Sequence, residues 1–291
     1  MKIGIIGTAD FTKFLDFMPD SSMLETEVRE VKVGTQRSSV SQNRVLIKTP
    51  GAEDVEAIFV YRQGENDSIP IGEVNHLANM QALKYFDPDL VFGLGTATTL
   101  EPYSLQGNFV VPSQLVNMHV ITPSYKRLSD HETSSFPIPI PVPICKPLRK
   151  FVARESYTMQ KNGLVKRAAE TIEQLVMSFA AFTVDPHPLD RPKTRVVYVN
   201  LPENVELNSE DARLINSGYF LGLVGSDFVE AFPAAELGLC YVPLAFVHGA
   251  RVLPSFNQPE PKDVLSAIVR ATIGYDSKCA CKGSYADLIK S

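Results

Sequence analysis

The chain has 291 residues, of which 44% are hydrophobic and 21% charged, an ordinary globular composition long enough to bury a sizeable core. A net charge of −5 and a pI near 5.6, with no basic stripe, argue against a nucleic-acid-binding surface. No run of about eighteen apolar residues exists and the opening MKIGIIG is too short for a signal h-region, so no membrane contact and a cytoplasmic location are expected.

The first apolar run, KIGIIG (2–7), reads as a buried strand. EAIFVYR (56–62), DLVFGLG (89–95), NFVVP (108–112), TRVVYVN (194–200), YFLGLVG (219–225) and LCYVPLAFV (239–247) read the same way. The runs at 2–7, 89–95 and 219–225 are apolar on both parities, so helices should cover both faces of their sheet. Helical patterns lie between them. GEVNHLANMQALKYF (72–86) puts Val74, Leu77, Ala78, Met80 and Leu83 near one face, and residues 160–181 carry an apolar stripe. DFVEAFPAAELG (227–238) reads as a helix with Pro233 as a kink and Gly238 as its C-cap, and residues 260–275 form the last long helix. The proline-rich SSFPIPIPVPICKP (134–147) is excluded from helix and central strand and reads as an ordered extended segment, and residues 184–193 read as a rigid loop. This alternation predicts one α/β domain over 1–291, with helices flanking a mixed, largely parallel central sheet in three layers.

Four cysteines are present. Cys145 and Cys240 sit in apolar settings and read as small core residues. Cys279 and Cys281 form a CAC near the C-terminus. A metal site needs further thiols or imidazoles and none is close in sequence, so no metal is expected. The plain reading is structural thiols, with a vicinal redox pair as the alternative.

Several separated stretches resemble one family in order and spacing. MKIGIIG opens the chain, VNHLANMQALK resembles a family helix VNYxANxxAL, and LQGNFVVP resembles a strand PGDIVI. EAFPAAELGLCY resembles EVxLAxExGxCY, and the terminal CxC resembles the tail of microbial members. Together they resemble the methylthioadenosine phosphorylase and purine nucleoside phosphorylase family, in its trimeric branch. That resemblance implies a homotrimer of α/β subunits and a nucleoside substrate. It also implies attack of inorganic phosphate, a possible co-substrate, on C1′ with release of the free base. No cofactor is implied.

The resemblance also assigns site residues. The family's first phosphate loop, GGTG, is Gly7-Thr8-Ala9-Asp10 here, so Thr8 keeps a hydroxyl while Asp10 replaces a glycine. A carboxylate about 4 Å from a phosphate charge repels it by roughly 1 kcal/mol in water and about 4 at an effective dielectric of 20. Asp10 either faces the pocket or turns outward to cap a turn. The RHG element is Arg62-Gln63-Gly64, and Arg62 is the expected anion ligand, the alternative being a surface ion pair. It is followed by the acidic Glu65-Asn66-Asp67. Gly95 and Thr96 follow a buried strand, where an α/β sheet binds ligands, and are expected to offer an N–H and a hydroxyl.

The sugar and base elements are more altered. The family's NMT is Val224-Gly225-Ser226, so the methionine under the ribose is Gly225 while Ser226 keeps a hydroxyl. Asp227 follows, as a helix N-cap or as a catalytic base. The base-binding aspartate is Gly249, and His248 before it is the candidate acid for the leaving base, or a structural histidine. Three readings follow: a divergent phosphorylase for a purine or 5′-modified nucleoside, a phosphate-independent hydrolase or transferase, and a non-catalytic nucleoside-binding trimer.

Overall fold

The computed structural model describes residues 1–8, 21–33, 36–48, 54–100, 109–112, 114–117, 144–152, 195–201 and 220–248, together with 272, 275, 279 and 281. The expected helices at 160–181 and 260–275 lie outside the described residues, Thr272 and Tyr275 excepted. The loop at 184–193 and residues 134–143 of the proline-rich stretch also lie outside them.

The opening apolar run forms β1 (Lys2–Gly7) at the centre of the sheet. Its two-sided hydrophobicity has a direct cause. Ile3 and Ile5 face one core cluster with Phe59 and Phe92, while Ile6 faces another. The strands that follow are β2 (Ser21–Val33), β3 (Gln36–Ile47) and β4 (Val55–Tyr61). Then come β5 (Leu90–Thr99), β6 (Phe109–Val110), β7 (Gln114–Asn117) and β8 (Arg195–Asn200). The last are β9 (Phe220–Gly225) and β10 (Tyr241–His248).

The sheet path runs β2-β3-β4-β1-β5-β9-β8-β7, with β10 on β5 and β6 on β10. β1 is parallel to β4 and β5, β10 is parallel to β5, and β7, β8 and β9 are mutually parallel. The pairs β2–β3, β3–β4, β5–β9 and β6–β10 are antiparallel. The sheet is therefore mixed, with a parallel centre. Pro243 sits inside β10 without breaking it. It faces Gly93 on the β5 side, and β6 pairs only Ala245 and Phe246 on the other, so no partner there needs its missing N–H.

Helices cover both faces. α1 (His76–Phe86) buries Leu77, Met80 and Leu83 against Ile6, Ile58 and Val60. It starts four residues later than predicted. Ile71–Glu73 forms a separate 3₁₀ turn and Val74 is extended, so Asn75 becomes the cap, its Oδ1 accepting from Ala78 N at 3.1 Å. α2 (Ala231–Glu236) lies on the same face. Gly238 follows it at φ 69°, as predicted for a helix end. Pro233 is no kink, because it falls in the first turn, where an N–H has no helical acceptor.

On the opposite face, residues 146–152 are helical and place Leu148 and Val152 against Ile3, Ile5 and Phe92. This corrects the exclusion of helix from the end of the proline-rich stretch. Pro147 occupies the first turn, where proline is tolerated, and Cys145 O accepts from Arg149 N at 2.9 Å. Two further differences concern strands. The β2–β3 hairpin and β7 were not expected, and β5 runs to Thr99 instead of ending at Gly95. Its extension is held by β10 as far as Thr98 and by β9 at Thr98 and Thr99.

The tail cysteines do not stand apart. The sulfurs of Cys145, Cys240, Cys279 and Cys281 all lie within 4.8 Å of one another, brought together from separate parts of the chain.

Candidate functional site at the strand ends

The C-terminal ends of β1, β4 and β5 carry Thr8, Arg62 and Thr96, and the antiparallel β9 delivers Gly225, Ser226 and Asp227 to the same region. Arg62 follows the last residue of β4, and its N–H donates to Gly7 O at 2.8 Å. Its side chain turns inward and is only 2% exposed. Nε and Nη2 donate to Glu230, Nη2 to Oε1 at 2.6 Å, and Nη1 donates to Leu94 O at 2.8 Å. Nη1 also lies 3.5 Å from Asp227 Oδ1. The guanidinium stands 5.9 Å over the Phe228 ring. All three nitrogens of this fork are thus aimed at internal acceptors.

Asp227 takes a different place from a helix cap. Its Oδ2 accepts from Thr96 N at 2.6 Å and from Thr96 Oγ1 at 3.1 Å. Both the N–H and the hydroxyl of Thr96 are therefore directed at Asp227, whereas Gly95 and Thr96 were expected to offer an N–H and a hydroxyl to a ligand. Tyr198, inside β8, locks the arrangement. Its hydroxyl donates to Thr96 O at 2.9 Å and accepts from Asp227 N at 3.3 Å. Asn200 Oδ1 accepts from Phe228 N at 3.1 Å, fixing the turn between β9 and α2.

Two glycines are required by this packing. A Cβ on Gly95 would lie 2.5 Å from Asp227 Cβ, and one on Gly225 would lie 2.1 Å from Tyr198 Oη. The Tyr198 hydroxyl occupies the space into which a methionine at 225 would project. The position of Tyr198 therefore requires a glycine at 225.

Burial pushes the Glu230 carboxyl up, but the Arg62 guanidinium and His76 oppose it and hold it down to about 2. His76 Nδ1, at the start of α1, stands 3.5 Å from Glu230 Oε2. The Tyr241 hydroxyl donates to Glu230 Oε1 at 3.2 Å, and burial followed by the Glu230 charge raises it well above the ordinary tyrosine range. Tyr198 is raised likewise, by burial and by Asp227. Burial works to lower the Arg62 pKa, but Glu230 and Asp227 outweigh it and raise it above its ordinary value, so the guanidinium stays cationic. One cation thus serves two carboxylates, Glu230 fully buried and Asp227 nearly so.

Thr8 and Ser226 are half-buried at the edge of this cluster. Asp10 lies outside the described residues, and His248 closes β10 opposite Thr98. Glu65 and Asp67 are exposed in a 3₁₀ turn. Glu230, Tyr198 and Tyr241 were not predicted as site residues. The only sequence sign of Glu230 is an acid inside the apolar FVEAF.

No family model matches the chain. It is 24% identical over 258 residues to the 6-oxopurine nucleoside phosphorylase of Pyrococcus furiosus, covering 81% of this chain and 88% of the relative. It is 30% identical over 95 residues to a probable S-methyl-5′-thioinosine phosphorylase of Thermodesulfovibrio yellowstonii, covering 29% of this chain and 36% of that protein. Among solved structures, a mutant adenosine/methylthioadenosine phosphorylase of Schistosoma mansoni in complex with adenine superposes with a TM-score of 0.69. The identity is 18%, with 100% of this chain and 96% of that one covered. That likeness concerns the fold.

Proposed function

We propose, from the premise that this chain is a divergent member of the methylthioadenosine and purine nucleoside phosphorylase family, that it cleaves the N-glycosidic bond of a purine or 5′-modified nucleoside. The observation that carries this reading is the gathering of Thr8, Thr96, Ser226 and Asp227 at one set of strand ends, around a buried Arg62. In the reaction the bond from C1′ to the base nitrogen breaks, its electron pair leaves with the base, and an acceptor oxygen bonds to C1′. Thr8 and Ser226 are the candidates for hydrogen-bonding sugar or acceptor oxygens. Asp227 is the candidate for stabilising positive charge on the sugar or for taking a proton from the acceptor. His248 is the candidate for protonating the departing base. A homotrimer working in the cytoplasm completes the proposal.

A second reading, in which water replaces phosphate, is favoured by one observation. Arg62 is committed to Glu230, Asp227 and Leu94 O, and the two carboxylates leave this cluster with more negative than positive charge. A phosphate dianion would have to compete with a fully desolvated acid for the same guanidinium.

The test is chromatographic assay of base release from adenosine, inosine and their 5′-methylthio analogues, each with and without inorganic phosphate. Release that requires phosphate supports the first reading, and release indifferent to phosphate supports the second. No release from any substrate under either condition would overturn both and leave a binding trimer.

A further inference from the structure

We propose that Cys145, Cys240, Cys279 and Cys281 form a tetrathiolate zinc site that fastens the C-terminal segment to the sheet. All four Sγ atoms lie within 4.8 Å of one another. Cys240 Sγ is 3.0 Å from that of Cys145 and 3.4 Å from that of Cys279. Cys281 Sγ lies within 4.8 Å of the other three. Each of these sulfurs therefore faces more than one partner, which is the arrangement of a cage and not of two separate disulfide pairs. Four sulfurs at about 2.3 Å from a tetrahedral zinc stand about 3.8 Å apart, so the observed cluster closes onto a metal with shifts of less than an ångström.

The scaffold suits a closed structural site. Cys145 and Cys240 are fixed by the backbone, since Cys145 N donates to Tyr241 O at 2.9 Å and Cys240 O accepts from Val91 N at 2.8 Å. Both are buried in the main core cluster, at 4% and 2% exposure, and Cys279 and Cys281 pack against it half-buried. Phe151 and Tyr275 stack beside the same cluster with ring centroids 4.5 Å apart. A tetrathiolate in so dry a place favours a soft or borderline metal over calcium or magnesium. Charge points the same way. Zinc with four thiolates carries −2, and lysines adjoin the ligands in sequence at Lys146, Lys278 and Lys282. Binding is balanced as four thiols and one Zn²⁺ giving the tetrathiolate and four protons, with no oxidant or reductant needed. The C-x-C spacing is shorter than the usual x₂₋₄ of zinc knuckles, so the tail pair needs the two core cysteines to complete the shell.

The experiment is elemental analysis of the full chain purified under reducing, low-oxygen conditions, incubated with zinc chloride and desalted. About one zinc per chain is expected, lost in the Cys279→Ser, Cys281→Ser double variant. Should that variant fail to fold, X-ray absorption on the unaltered protein reads the same point, with four sulfur neighbours at about 2.3 Å expected. A reduced protein that retains no zinc, iron in place of zinc, zinc retained in full by the folded double variant, or two disulfides in protein kept from oxidants would each overturn the proposal.

Discussion

The strand-end cluster and the cysteine cluster are both largely buried and assembled from distant residues, yet they are stabilised in opposite ways. At the strand ends each charged group meets a partner of opposite charge within the fold. Arg62 meets Glu230, 168 residues away, and Asp227 gathers both donors of Thr96. At the thiol cluster like groups are crowded together, and nothing among the four sulfurs themselves supplies an opposite charge. The contrast teaches that a buried polar group read alone is ambiguous, and that its partners decide whether it is complete. In the first cluster the Arg62 guanidinium and the Asp227 and Glu230 carboxylates all have internal partners. The second is the arrangement that a cation completes.

Breaking the first cluster should have the largest effect. Glu230→Ala leaves Arg62 buried without its main partner and is expected to cost about 3–5 kcal/mol in urea unfolding. A double change of Arg62 and Glu230 to Met and Leu should cost less than the single one, because no charge is stranded. The same pair sets a pH dependence. The Glu230 carboxyl is lowered from 4.5 to about 2, so its stabilisation is complete above pH 4.5 and is lost as pH falls through about 2. Stability measured between pH 6 and 2 should fall in that window, and Glu230→Gln should flatten the slope there.

A smaller effect comes from the glycine that Tyr198 requires. Gly225→Ala places a methyl group 2.1 Å from Tyr198 Oη and should cost about 1–3 kcal/mol. Tyr198→Phe in the same background should recover part of it. A double-mutant cycle showing additive costs would break the link between Gly225 and Tyr198. Smallest is Asn75→Ala, which removes the cap of α1 and should lower stability by about 0.5–2 kcal/mol, leaving the charge cluster intact.

Much of the sheet was readable. β1, β4, β5, β8 and β10 are short apolar runs, since strands covered on both faces carry few polar positions. The β2–β3 hairpin was not, because Thr, Glu, Arg, Ser and Gln along it hide the alternation that buries Val31, Val40 and Val45. At the strand ends the family resemblance named Arg62, Thr96 and Asp227, which the fold brings together, but not the partners they meet there. Glu230 sits in a run that reads as an ordinary helix, and Tyr198 and Tyr241 sit in strands where an aromatic reads as core. The cysteines failed for the same reason, since separations of 95 and 39 positions are bridged only by the folded sheet.

The most direct measurement compares kcat/KM for base release in the unaltered protein, in Asp227→Asn and in Asn75→Ala, on whichever nucleoside turns over. If the strand ends are the nucleoside site, Asp227→Asn should lower kcat/KM by about a hundredfold or more while Asn75→Ala leaves it within about twofold. Equal activities in Asp227→Asn and the unaltered protein, at matched folded fractions, would contradict the assignment.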